Sequence, residues 1–178
     1  MFNKRRCNFE NNKKNRKKII LFLVNKVLKG TNPKYFNLKR KLLNRYGYNI
    51  GKGTKIVGPI ECYGKLTIGK KCWIGKNLII NGNGTVIIGD NCDIAPEVTF
   101  LTGGHKIGNS KRRAGEGEIY KIRVNNGVWI GARSTILGNI VIKNSSVIGA
   151  GALVNKNIEG NILVGGVPAK KIKNLNIK

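Results

Sequence analysis

The chain has 178 residues, 34 Lys and Arg against 8 Asp and Glu, a net charge of +26 and 40% hydrophobic residues. That apolar content excludes a disordered polyelectrolyte, and the length fits one domain with a small appendage. One histidine cannot build a three-histidine metal centre, and four cysteines without a CxxC pair exclude a disulfide scaffold and leave reduced thiols as the expectation.

Residues 1–49 carry fifteen Lys or Arg and a single acid, Glu10. An anionic partner would fit this excess, and so would solvated lysines in a chain rich in Lys, Asn and Ile. No helix-turn-helix, zinc finger or aromatic RNA-binding signature is present, so no nucleic-acid partner is expected. The apolar run 19–24 (IILFLV) is too short to span a bilayer, and no small-residue cleavage site follows it. The expected location is cytoplasmic, without export. Residues 13–29 predict a helix with an apolar stripe through Ile20, Leu21, Val24 and Leu28, and residues 37–46 a second one ended by Gly47. This basic helical segment, 1–49, either packs on the main body or also touches an anionic membrane at the inner face.

From residue 50 the pattern changes to a period of six. Aliphatic residues recur at Ile50, Ile56, Ile68, Ile74 and Ile80, with Cys62 in the gap. After a two-residue shift they return at Ile88, Ile94 and Phe100, and then at Val124, Ile130, Ile136, Ile142, Ile148 and Val154. The fourth position after each is small or apolar, as at Cys72, Cys92, Ser134 and Ala152. Six residues suit one short strand plus one tight corner, with glycine relieving the corner. Three such sides close a triangular coil, and stacked coils cover one another. The fold class is therefore an all-β solenoid, a parallel β-helix of about five triangular coils over 50–159, followed by a C-terminal tail, 160–178.

Residues 106–123 lack the period, so they predict a loop leaving the solenoid at a corner. His105, the lone imidazole, stands just before that exit. Loops on rigid scaffolds concentrate function. An imidazole, with a pKa of roughly 6.5, suits proton abstraction near neutral pH.

Four stretches carry a family resemblance: VIIGDNCDIAPEVTFLTGGH (86–105), NNGVWIGARSTIL (125–137), VIGAGALVNKNI (147–158) and GGVPAKKIK (165–173). With the repeats, they resemble the hexapeptide-repeat acyltransferases of the maltose and galactoside acetyltransferase type, including their relatives in polysaccharide gene clusters. The resemblance implies a left-handed coil, a homotrimer with sites between subunits, and acetyl-CoA as co-substrate with no metal. It implies direct transfer of acetyl to a hydroxyl, with His105 as general base. It places Trp129 at the wall of the site, Ala132 and Ala150 along the pantetheine groove, Asn155 and Lys156 near the adenosine, and Lys170 and Lys173 at the phosphates of CoA.

The acceptor side departs from the galactoside pattern. The family's sugar-binding Asn falls at Gly75 and its Asp at Asn83. Asn83, with Arg113 and Tyr120 from the loop, is the expected acceptor set, and Arg112, Glu116 and Glu118 stand beside them. The expected acceptor is a hydroxyl of a surface-polysaccharide sugar or its precursor. A nucleotide-sugar amine, serine or an antibiotic hydroxyl are the alternatives, followed by a non-enzymatic scaffold.

Overall fold

A computed structural model describes residues 18–176. Residues 13–17 of the first expected helix, and Cys7, lie outside the described residues. The chain is helical from residue 18 and passes into a π-helical turn at Leu23–Val27. Val24 is fully buried and Leu21 packs on the same core, so the apolar stripe faces inward. Helix α1 runs Pro33–Tyr46, four residues earlier than 37. Asn32 sets that start. Its side chain accepts from the Lys34 N–H, and Pro33 occupies the first turn, where no N–H is needed. Gly47 ends the helix in the left-handed conformation, φ 120°. Lys39 is buried beneath α1. Its ammonium donates to the carbonyls of Gly30 (2.8 Å) and Val57 (3.1 Å) and lies 4.7 Å from the Phe36 ring centroid. These contacts clamp the helical segment over the first coil.

The solenoid has three parallel faces. Face one stacks β1 (Asn49–Ile50), β4 (Lys65–Ile68), β7 (Thr85–Ile88), β12 (Lys121–Val124) and β15 (Val141–Ile142). Face two stacks β2 (Lys55–Ile56), β5 (Trp73–Ile74), β8 (Asp93–Ile94), β13 (Trp129–Ile130), β16 (Val147–Ile148) and β18 (Ile162–Gly165). Face three stacks β3 (Ile60–Cys62), β6 (Leu78–Asn81), β9 (Thr99–Leu101), β14 (Thr135–Leu137) and β17 (Leu153–Val154). Five turns are complete, as expected, and a sixth begins at Ile158, which pairs with Ile142, and continues into β18. The final strand, β19 (Lys170–Asn174), runs antiparallel to β18.

The period-six residues form the interior columns. On face two, Ile56, Ile74, Ile94, Ile130, Ile148 and Val164 stack in register, each at most 2% exposed. Each such side chain contributes roughly 1.5–3 kcal/mol through burial. The fourth-position residues are also inside, and the polar ones find partners. Thr54 donates to Gly69 O at 2.7 Å, and the single Ser134 hydroxyl proton is shared between Gly131 O and Gly149 O, both 2.9 Å from Oγ. Cys72 and Cys92 are buried free thiols facing Gly89 O and Asn125 O. Among the described residues no buried side-chain N or O lacks a partner.

The corners divide two tasks between two residues. The glycine after the aliphatic residue permits close approach: a Cβ on Gly69 would lie 2.5 Å from the Gly89 carbonyl carbon. The left-handed backbone falls two residues later, at Lys71 (φ 54°), Asn91 (φ 55°) and Arg133 (φ 59°). A ladder also braces one edge. The side chains of Asp90, Asn126 and Asn144 accept from the backbone N–H of Lys70, Asp90 and Asn126 in turn.

The excursion is a β-hairpin, β10 (Gly103–Ile107) against β11 (Ala114–Ile119). It leaves the coil after Thr102, three residues before the expected loop of 106–123. The chain is back in the solenoid by Lys121, whose strand pairs with Thr85. The reason is that β12 turns two residues inward, Ile122 and Val124, both buried, and the six-residue count registers only the second.

Candidate active site

The hairpin leaves the edge between faces three and one. Its base is built by glycines and by Tyr120. A Cβ at Gly104 would lie 2.5 Å from the Tyr120 hydroxyl oxygen and 2.9–3.0 Å from its ring, so only a bare Cα lets that ring lie there. The Tyr120 hydroxyl donates to Glu118 Oε2 at 2.9 Å, and this bond and charge push the phenol pKa up. At the far end Asn109 Oδ1 accepts from the N–H groups of Lys111 and Arg112, closing the turn. Lys106 and Glu116 pair across the strands at 2.7 Å.

His105 lies within β10, opposite Gly117, and its ring is exposed. It is therefore the third residue of the outgoing strand rather than the last of a coil. Its Nδ1 stands 2.8 Å from Gly115 O. A carbonyl oxygen only accepts, so Nδ1 carries the proton and donates. The neutral ring then presents Nε2 as a free lone pair. Among the described residues no group of His, Cys, Asp and Glu side chains could hold a metal ion.

The other expected residues divide between two edges. Asn83 is exposed at the corner just below the hairpin, beside Gly82, whose added Cβ would lie 2.6 Å from Gly103 N. Asn83, His105 and Tyr120 thus share one edge, with exposed Asn155 and Lys156 two coils further along it. Arg113 is at the hairpin tip, where its Nη1 donates to Gly108 O at 3.4 Å, away from the base. Ala132 and Ala150 lie on the edge between faces two and three, one coil apart, where Gly151 N–H donates to Ala132 O at 2.8 Å. Trp129 stands on face two, 55% exposed. Lys170 and Lys173 are exposed on β19, which starts beside this second edge, where Ala169 N–H donates to Leu153 O at 2.8 Å. One protomer therefore does not bring His105 together with the edge of Ala132 and Ala150.

Sequence reasoning missed two contributors, Gly115 and Gly104. Gly115 supplies the carbonyl that fixes the His105 ring, and Gly104 the bare surface for Tyr120. Both are glycines inside strands, and such glycines mark close backbone approach. That signal was available.

No family model matches the chain. It is 34% identical to the galactoside O-acetyltransferase of Escherichia coli over 148 residues, covering 82% of this chain and 73% of that protein. The galactoside O-acetyltransferase of Lactococcus lactis is 31% identical, with 76% of this chain and 67% of that protein covered. Among solved structures, a galactoside acetyltransferase in complex with coenzyme A superposes with TM-score 0.77 at 30% identity, covering 93% of this chain and 82% of that one. A hexapeptide-repeat acetyltransferase from Vibrio cholerae, complexed with acetyl-CoA, shares the fold at TM-score 0.77 and 24% identity, covering 94% and 89%. Interior columns of period six, a hairpin carrying the lone histidine and these relatives agree: the chain belongs to the hexapeptide-repeat acyltransferases, the left-handed β-helix enzymes that include the galactoside O-acetyltransferases.

Proposed function

We propose that the protein transfers acetyl from acetyl-CoA to a hydroxyl of a sugar, a surface-polysaccharide unit or its precursor, with His105 as general base. The observation that carries this reading is the bond from Nδ1 of the exposed His105 to Gly115 O at 2.8 Å, which in the neutral ring puts the free lone pair on Nε2. Nε2 accepts the proton of the acceptor hydroxyl as its oxygen bonds to the acetyl carbon. The imidazolium, held by Gly115 O, then returns that proton to the sulfur as the C–S bond breaks. Acetyl-CoA supplies an already activated thioester, so no covalent enzyme intermediate is needed. Holding both substrates in line supplies much of the remaining rate.

The residues fit such a donor. Ala132 and Ala150 put small side chains one coil apart on one edge, and Lys170 and Lys173 are exposed cations suited to phosphates. Their separation from His105 in one protomer supports sites formed between subunits, as a homotrimer would form them. Asn83 and Tyr120, at the hairpin base, are placed to meet the acceptor. The galactoside relatives favour a sugar acceptor over an amine.

The test is transfer of labelled acetyl from acetyl-CoA to a panel of mono- and oligosaccharides. Ester-linked label on a sugar supports the reading. Label found only on amino sugars at nitrogen, or only as free acetate, refutes it.

A further inference from the structure

The molecule's densest charge lies away from the hairpin, on the helical segment that caps the first coil. We infer that the outward faces of residues 18–29 and of α1 form a docking surface for an anionic phospholipid bilayer.

Two observations carry this. The first is charge. From residue 18 to residue 60 the chain contains no acid. Lys18, Lys26, Lys29, Lys34, Lys41 and Arg45 are all exposed, and none is in an ion pair among the described residues. The second is apolar exposure interleaved with those cations. Ile19 (58%), Phe22 (59%) and Val27 (56%) face solvent on the first segment, and Leu38 (44%) on α1. Their neighbours Leu21, Val24 and Leu43 already satisfy the core, so the exposed set is not needed for packing. On α1, Leu38 shares its helical face with Lys34, Lys41 and Arg45, at spacings of three and four residues. A groove there is lined by Leu38, Lys41, Leu42, Asn44 and Arg45.

The combination selects among partners. A nucleic acid rewards the cations but not exposed Ile, Phe, Val and Leu. A second copy of this surface would set six cations against six, with no acid to pair them. An anionic bilayer rewards both, because aliphatic and aromatic side chains enter the interface while lysine stems bring their ammonium groups to the phosphates. No helix among the described residues is long and apolar enough to cross a membrane, so the contact is peripheral.

The inference is independent of catalysis, because its test needs no turnover. The full-length, untagged protein is sedimented with vesicles of phosphatidylcholine alone or with about 30% phosphatidylglycerol. We expect pelleting only with the anionic vesicles at about 0.05 M salt, and loss of most of it at about 0.5 M, where the charges are screened. The charge-neutral change Phe22→Ser with Leu38→Ser lowers partitioning by roughly tenfold while the thermal midpoint is kept, since both side chains are exposed. Lys34→Gln, Lys41→Gln and Arg45→Gln together lower it by at least roughly tenfold. Equal pelleting with both vesicle types, or with neither, overturns the inference. So does duplex DNA binding that the Phe22/Leu38 variant retains in full while vesicles fail to bind. An oligomer that dissociates in that variant, with no vesicle binding in the parent, assigns the face to a second copy and likewise overturns it.

Discussion

The carbonyl of Gly115 sits 2.8 Å from His105 Nδ1, across the two strands of the hairpin. The bond ties the ring's tautomer to the hairpin's register, in which His105 faces Gly117. Because the chain has one histidine, a nitrogen-15 spectrum of untagged protein contains a single imidazole. At a pH where the ring is neutral, the protonated nitrogen is Nδ1 and the bare one Nε2. The opposite tautomer would mean that Gly115 does not hold the ring and that the free lone pair points elsewhere.

Gly104 and Tyr120 provide a second test. Gly104→Ala puts a methyl where the Tyr120 hydroxyl and ring lie, 2.5–3.0 Å away. The ring must shift, and with it the base of the hairpin. The expected result is a rise in acceptor KM of roughly tenfold, with KM for acetyl-CoA unchanged. Equal effects on both substrates would place Tyr120 outside the acceptor side.

Lys170 and Lys173 are exposed on the last strand, with no ion-pair partner among the described residues. If they meet the phosphates of CoA, replacing both by Ala raises KM for acetyl-CoA by roughly tenfold or more and lowers kcat less. The effect on KM shrinks as salt rises. An unchanged KM removes them from donor binding.

Lys39 makes stability depend on pH in an unusual direction. Burial lowers its ammonium pKa from 10.5 to about 8. Between those values the unfolded chain holds a proton that the folded chain has released, so stability rises with pH through that window. Tyr48 works the other way above pH of about 10, because burial pushes its phenol up and the folded chain keeps a proton that the unfolded chain loses. Between pH of roughly 7.5 and 9.5 the thiols of Cys62, Cys72 and Cys92 also change protonation differently in the folded and unfolded chain. In urea unfolding over that range the Lys39 contribution is therefore the difference between the parent and Lys39→Met, and the variant shows a smaller rise. A rise undiminished in the variant assigns it to another group.

Much of this architecture is legible in the chain because the interior repeats. Ile50, Ile56, Ile74, Ile94, Ile130 and Ile148 announce the columns, since each inward position must be filled in every coil. The register varies where a corner lengthens or shortens, as in the last coil, where Val147 pairs sixteen residues on with Leu163. Thr67 pairs eighteen residues from Asn49, whereas Thr85 pairs twenty from Lys65, the extra pair absorbed at Gly82–Gly84. The hairpin boundary was misplaced because Ile122 is a second inward residue flanked by exposed Lys121 and Arg123. The start of α1 was missed although Asn32–Pro33 spells it. The burial of Lys39 has no local signal, since it depends on carbonyls of Gly30 and Val57 that only the fold brings near. At the site, His105 stood out as the sole imidazole beside a break in the period. The division of the remaining residues between two edges follows from coil geometry and cannot be read along one chain.

The central claim is that Nε2 of the exposed His105 takes the proton from the acceptor. The measurement that tests it most directly is the acetyl-transfer rate of His105→Ala on a sugar the parent acetylates, with acetyl-CoA saturating. A general base supplies about 10²–10⁴ in rate. The expected result is a fall in kcat of at least roughly a hundredfold, with KM for acetyl-CoA and the thermal midpoint unchanged. A variant that transfers acetyl at the parent's rate would contradict the account.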